Sequence, residues 1–146
     1  MKRATRRFWT DSGATSALEF GLVALPLLLL ILGTVEYGRL LWTRQAMQSL
    51  AISTARCMGV LQTSCAAAGV YSAANTTKTI VSGAGALGVT ITASNVQLNN
   101  AASCGGSAGF SSATVTYSFA TYVPALILAL AGGAALTVTA CFPNQS

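Results

Sequence analysis

Four cysteines are the residues of this chain whose type and spacing most readily suggest chemistry. Cys57, Cys65, Cys104 and Cys141 could pair as disulfides or hold a zinc ion. Structural zinc sites are built from close CxxC pairs, and these spacings contain none. The even count favours oxidation, and four cysteines allow three pairings. The preferred one joins Cys57 to Cys65, closing a short loop at a helix end, and Cys104 to Cys141, tying a glycine-rich loop to a last strand. Lys78 and Ser82 stand at i,i+4, the spacing a Ser-Lys hydrolase could use. In a chain so rich in serine, one such pair is the coincidence expected by chance. The sequence has no histidine and only three acids, Asp11, Glu19 and Glu36. A Ser-His-Asp hydrolase, a Cys-His protease and a His-ligated metal enzyme are thereby excluded. The expectation is a protein that is not an enzyme, with no cofactor and no small-molecule substrate.

The placement of charge points to the elements that must carry these residues. Of 146 residues only 8% are charged and 53% are hydrophobic, so an ordinary solvated surface is out of reach for much of the chain. The net charge is +5, but Lys2, Arg3, Arg6 and Arg7 supply half of the positive residues within one short N-terminal cluster. No charged side chain follows Lys78. A nucleic-acid partner would need basic residues spread over a face, so none is expected. A basic cluster ahead of an apolar run is instead the cytoplasmic flank of a membrane segment. That run, residues 17–35, would extend about 28 Å as a helix, close to the hydrocarbon thickness of a bilayer. Its stretch from Leu22 to Leu32 has no polar residue, which leaves a buried soluble helix no face for water. Pro26 is tolerated in a membrane helix, where neighbours satisfy the freed carbonyl. Thr5-Arg6-Arg7-Phe8 superficially resembles a twin-arginine signal, yet no small-x-small cleavage site follows the apolar core.

Glu19, beside Phe20 at the start of this run, is the costly residue, because a carboxylate near hydrocarbon calls for a partner. A basic leader, then Gly13 and small residues, then Glu19-Phe20 opening a long apolar helix resembles a type IV prepilin processing region. The resemblance extends through Pro26 and its leucines to Glu36-Tyr37-Gly38-Arg39, and over residues 13–42 it is similar to the N-terminal module of TadE-like pseudopilins of tight-adherence (Flp-type) pili. It implies cleavage by a prepilin peptidase on the cytoplasmic side, after Gly13 or after Ala14. The family's glutamate stands fifth after the cleaved glycine, whereas Glu19 is sixth after Gly13. Shifted spacing, a cut after Ala14 in place of glycine, and no cleavage all remain open, with Gly13 favoured. It further implies that Glu19 and Phe20 set subunit register, the carboxylate pairing with the new N-terminal ammonium of a neighbour. Such a buried pair serves specificity more than net stability. Other pilin or pseudopilin subunits and the pilus assembly platform would be the partners. The competing class is a bitopic assembly factor or adhesion module that never enters a filament.

The expected organisation is a basic cytoplasmic leader over residues 1–13, a transmembrane helix over 14–35, and an extracytoplasmic part over 36–146. The membrane would be the bacterial inner membrane, crossed once, with the N-terminus cytoplasmic and the C-terminal part in the periplasm. A cut at Gly13 would leave a side-chain net charge of +2. From Glu36 to Met58 apolar residues recur at three- and four-residue spacing, which predicts that the helix continues. Glu36 and Arg39, at i,i+3, could form a weak surface pair. Tyr37 and Trp42 suit either the membrane-water interface or packing onto the outer domain. A short helix is expected over residues 70–81. Strands are expected at 89–92, 96–98, 113–119 and 136–141, with turns at Asn99-Asn100 and loop from Cys104 to Gly109. The run from Val123 to Leu136 reads as an apolar connection between strands or a second membrane segment. The fold class is therefore α+β and pilin-like: a long N-terminal helix, its first half transmembrane, packed on a small antiparallel sheet. TadE-like C-terminal regions are similar in their Thr-Tyr strand, here Thr116-Tyr117, their proline loop at Pro124, and a closing Leu-Thr-x-Thr strand, here 136–139.

Overall fold

A computed structural model of the chain describes residues 12–145. Helix α1 runs from Ser12 to Gly59, uninterrupted at Pro26. It is followed by β1 (Ala66–Ala67), β2 (Val70–Tyr71), α2 (Ala73–Ala86), a single 3₁₀ turn (Ala93–Asn95), β3 (Val96–Cys104), β4 (Ser107–Ser118), α3 (Pro124–Ala131) and β5 (Ala135–Pro143). The chain divides into two compact units, Met1–Tyr37 and Gly38–Ser146.

In the first unit the described residues belong to α1 alone. Leucines, valines and Phe20 face outward all around the helix, from Leu18 through Val35. Among the described residues this is the one helix long and apolar enough to cross a membrane, with a mean hydropathy of 2.3 in its most apolar window and none of that window buried. A helix apolar on every side has no water-facing stripe, which is the mark of a span.

In the second unit α1 changes character. Leu40, Met47, Leu50, Ala51, Thr54, Ala55 and Met58 turn inward at helical spacing, and the gaps are filled by Arg39, Arg44, Gln45, Gln48 and Arg56. The buried stripe packs with Ile80 and Ala84 of α2, with Ile127 of α3, and with Ala113, Val115, Leu136, Val138 and Ala140 of the main sheet. That sheet is antiparallel in the order β3-β4-β5. Its register sets Val115 opposite Val138 and Ala113 opposite Ala140 on the core face. On the other face Thr114 meets Thr139 and Thr116 meets Thr137, with hydroxyl oxygens 2.9 and 3.4 Å apart. The period-two alternation of a half-buried strand is thus realised in full in β5.

The long helix on an antiparallel sheet is the architecture expected, while several local assignments differ. The helix expected over 70–81 is displaced to Ala73–Ala86, because Ser72 holds an extended backbone and its Oγ accepts from the Asn75 N–H, starting the helix there. Val70–Tyr71 instead pairs with Ala66–Ala67. Residues 89–92 form no ladder, although Val89 and Ile91 do bury themselves in the core as the alternation suggested. Asn99 and Asn100 lie inside β3 and not in a turn: Asn99 Oδ1 accepts from the Ala101 N–H at a register shift, so the local turn chemistry of asparagine makes a bulge. The loop expected from Cys104 to Gly109 contracts to Gly105-Gly106, both at positive φ, as a two-residue hairpin requires. Residues 124–131 form an eight-residue helix between β4 and β5. At about 12 Å it is too short to span, and it is the apolar connection.

Candidate functional site

The leader residues Lys2, Arg3, Arg6, Arg7 and Asp11 lie outside the described residues. Gly13 and Ala14 have helical backbone in the first turn of α1. Glu19 and Phe20 are exposed on the same helix, among Leu18, Leu22 and Val23, which are exposed as well. Among the described residues Glu19 has no ion-pair partner. A carboxylate presented from an apolar helix is costly in hydrocarbon unless it is paired.

At the start of the second unit, Arg39 is the organising residue. Its guanidinium carbon lies 5.6 Å from the ring centre of Phe119 and 5.8 Å from that of Tyr122, within cation–π range of both. Phe119 is buried and Tyr122 is exposed, so the arginine connects core to surface at the end of β4. Glu36 is only 5% exposed and is not the surface residue expected. Trp42 is 71% exposed, which overturns the reading that it packs onto the outer domain; Tyr37 is exposed to a lesser degree.

All four cysteines are oxidised, in the two pairs preferred from the sequence. Cys57–Cys65 closes the end of α1. There Gln62 N–H donates to the Cys57 carbonyl and Leu61 N–H to the Met58 carbonyl, a Schellman arrangement with Leu61 in the left-handed region usually given to glycine. The loop so formed is held to α2 by side chains: Thr79 Oγ1 donates to the Ser64 carbonyl, Thr76 Oγ1 to that of Cys65 and Asn75 Nδ2 to that of Ala66. Cys104–Cys141 ties β3 to β5 with Cα atoms 6.5 Å apart. No thiolate remains to bind zinc. Among the described residues no group of three or more His, Cys, Asp or Glu could hold a metal.

The Ser82 hydroxyl of the Lys78 and Ser82 pair is engaged by the helix backbone. Ser82 Oγ donates to the Thr79 carbonyl at 3.0 Å, and both residues are exposed on α2. One feature that sequence reasoning missed is a cavity of about 280 Å³ lined by Met58, Leu61, Tyr71, Asn100, Ser111 and Asn144. Its polar wall is stitched together, Ser111 Oγ donating to Asn144 Oδ1 and Asn144 Nδ2 to the Asn100 carbonyl, both at 2.7 Å. The Tyr71 hydroxyl is buried without a partner, and burial pushes its pKa above the ordinary value of 10.0. Nothing in the sequence signalled this, because Tyr71 meets residues remote from it along the chain.

The described residues define a small disulfide-bonded α+β protein with one candidate membrane span, continued as the core helix of the second unit. Residues 14–56 match the family model described as TadE-like protein, in agreement with the resemblance read from the sequence. The TadE-like segment implies a membrane protein associated with tight-adherence pili. No curated relative and no solved structure matches the chain.

Proposed function

We propose that this protein is a non-enzymatic, pseudopilin-like subunit that takes part in tight-adherence pilus assembly, surface attachment or secretion. In this reading residues 17–35 anchor it in the bacterial inner membrane, with the leader cytoplasmic and the disulfide-bonded part periplasmic. A prepilin peptidase removes the leader after Gly13 or Ala14, and Glu19 then pairs with the N-terminal ammonium of a neighbouring subunit. The observation that supports the reading most is a coincidence of boundaries. The family match over residues 14–56 covers the exposed apolar part of α1 and almost all of its buried part. One helix thereby carries both the candidate span and part of the core of the outer unit.

Intact mass of the protein extracted from membranes tests the processing step. The expected mass lacks residues 1–13 or 1–14; the full-length mass would remove cleavage from the proposal. Recovery of the protein in sheared surface filaments supports incorporation. Its confinement to the membrane fraction favours the bitopic assembly factor instead.

A further inference from the structure

The segment after β4 exposes apolar and aromatic side chains where a water-facing connection would carry charge. Tyr122 is 88% exposed and Leu128 is 65% exposed, with Val123, Pro124 and Ala125 exposed between them. No charged residue occurs in α3 or on either side of it. Ile127, fully buried, fastens the helix to the core. The opposite side is left with nothing polar to offer water beyond the Tyr122 hydroxyl. An aromatic ring with one polar tip, next to aliphatic residues, is matched to the layer where lipid headgroups meet acyl chains.

The position of this segment along the chain indicates what covers it. Arg39, whose guanidinium lies 5.8 Å from the Tyr122 ring, follows Val35 by four residues. Four residues of chain reach at most about 14 Å. If Val35 ends the membrane span, Arg39 lies within that reach of the bilayer surface, and the Tyr122 ring lies beside Arg39. Trp42, exposed and three residues beyond Arg39, falls on the same side of α1 and adds a second interfacial aromatic.

We propose that residues 122–131 form a membrane-docking element, with α3 lying in the interfacial layer of the leaflet on the side of the second unit. Ile127 points to the protein core, Tyr122 and Leu128 to lipid, and Arg39 fastens the element to the helix that crosses the membrane. The proposal rests on the reading that residues 17–35 span the bilayer. The protein would then touch its membrane at two places.

Tryptophan quenching by lipid in the full-length chain tests this. In chains with Trp9→Phe and Trp42→Phe, a single tryptophan is introduced by Val23→Trp, Leu128→Trp, Tyr122→Trp or Val70→Trp. Each is reconstituted in phosphatidylcholine vesicles with and without acyl-chain bromine. Expected is quenching of at least about twofold for Val23→Trp, Leu128→Trp and Tyr122→Trp, and little change for Val70→Trp, on the exposed strand β2. Quenching at 23 with none at 122 and 128 would overturn the docking and leave the span intact, as contact with a second copy would produce. Absence of quenching at 23 would overturn the span and the docking together. Equal quenching at all four positions would also overturn the proposal, since contact would not be specific to α3.

Discussion

The disulfide between Cys104 and Cys141 joins two strands that do not hydrogen-bond to each other. β4 lies between them, and Cys104 pairs with Ser107 while Cys141 pairs with Ser112. In a flat sheet the two would be about 20 Å apart, from five residues along the strand and two strand spacings across it. The observed 6.5 Å requires the end of the β3–β4 hairpin to fold back over the sheet. The register shifts of β3 after Asn99 and Ala102, and the positive φ of Gly109, supply the bends. The bridge fixes the shape of the sheet as well as linking its strands.

The two disulfides should therefore differ in their effect when removed. The sequence separations are 8 for Cys57–Cys65 and 37 for Cys104–Cys141. Chain entropy alone predicts losses of about 2.5 and about 4 kcal/mol for paired replacement by alanine. Denaturant titration of the detergent-solubilised protein should show the larger loss for Cys104→Ala with Cys141→Ala. Equal midpoints for the two double variants would contradict this ranking.

Gly59 stands where α1 passes the end of β5. A Cβ there would lie 2.7 Å from Phe142 Cδ1 and 2.9 Å from the Pro143 carbonyl oxygen. The backbone oxygen cannot move aside as a side chain can, so Gly59→Ala should destabilise by roughly 1–3 kcal/mol. Gly85 in α2 faces open space without a positive φ, and Gly85→Ala should be neutral or stabilise by up to about 1 kcal/mol. Thermal unfolding of the two variants checks the contrast, which fails if they shift in the same direction.

Tyr71 should make the stability of the second unit sensitive to alkaline pH. Its hydroxyl is buried and unpartnered, and desolvation raises its pKa in the folded state. A raised folded pKa means that the contribution is fully present below the unfolded value of about 10 and is lost as pH rises through the folded pKa. Tyr71→Phe removes a hydroxyl that makes no hydrogen bond, so it should be near neutral at pH 7. Unfolding midpoints measured from pH 8 to 11 should decline less for the phenylalanine variant. Parallel declines would show that Tyr71 is not the group responsible.

Glu19→Gln tests the register role under the proposed function. Under that proposal cleavage of the leader should proceed, because the carboxylate acts in subunit pairing and not in peptidase recognition. Filament yield should fall by at least roughly tenfold, as loss of an ion pair worth more than about 1.4 kcal/mol demands. Unchanged piliation with normal processing would remove that role from Glu19.

The sequence by itself determined the division of labour along α1. Twenty residues without a water-facing stripe followed by twenty with one mark where the candidate span ends and a protein core begins, because hydrophobic periodicity is a local property of the helix. The alternation in 113–119 and 136–141 likewise made the cores of β4 and β5 legible, and the cysteine arithmetic led to the pairs that form. Tertiary structure alone decided the rest. Ser72 as a cap, the bulge at Asn99 and the unpaired but buried Val89 and Ile91 depend on which partner each backbone group meets. Arg39 reaching Phe119 and Tyr122, Gly59 against Phe142, and Tyr71 under Ser111 and Asn144 join residues 40 or more positions apart. No periodicity encodes such meetings, since they arise only when the sheet closes over the helix and desolvates what lies between.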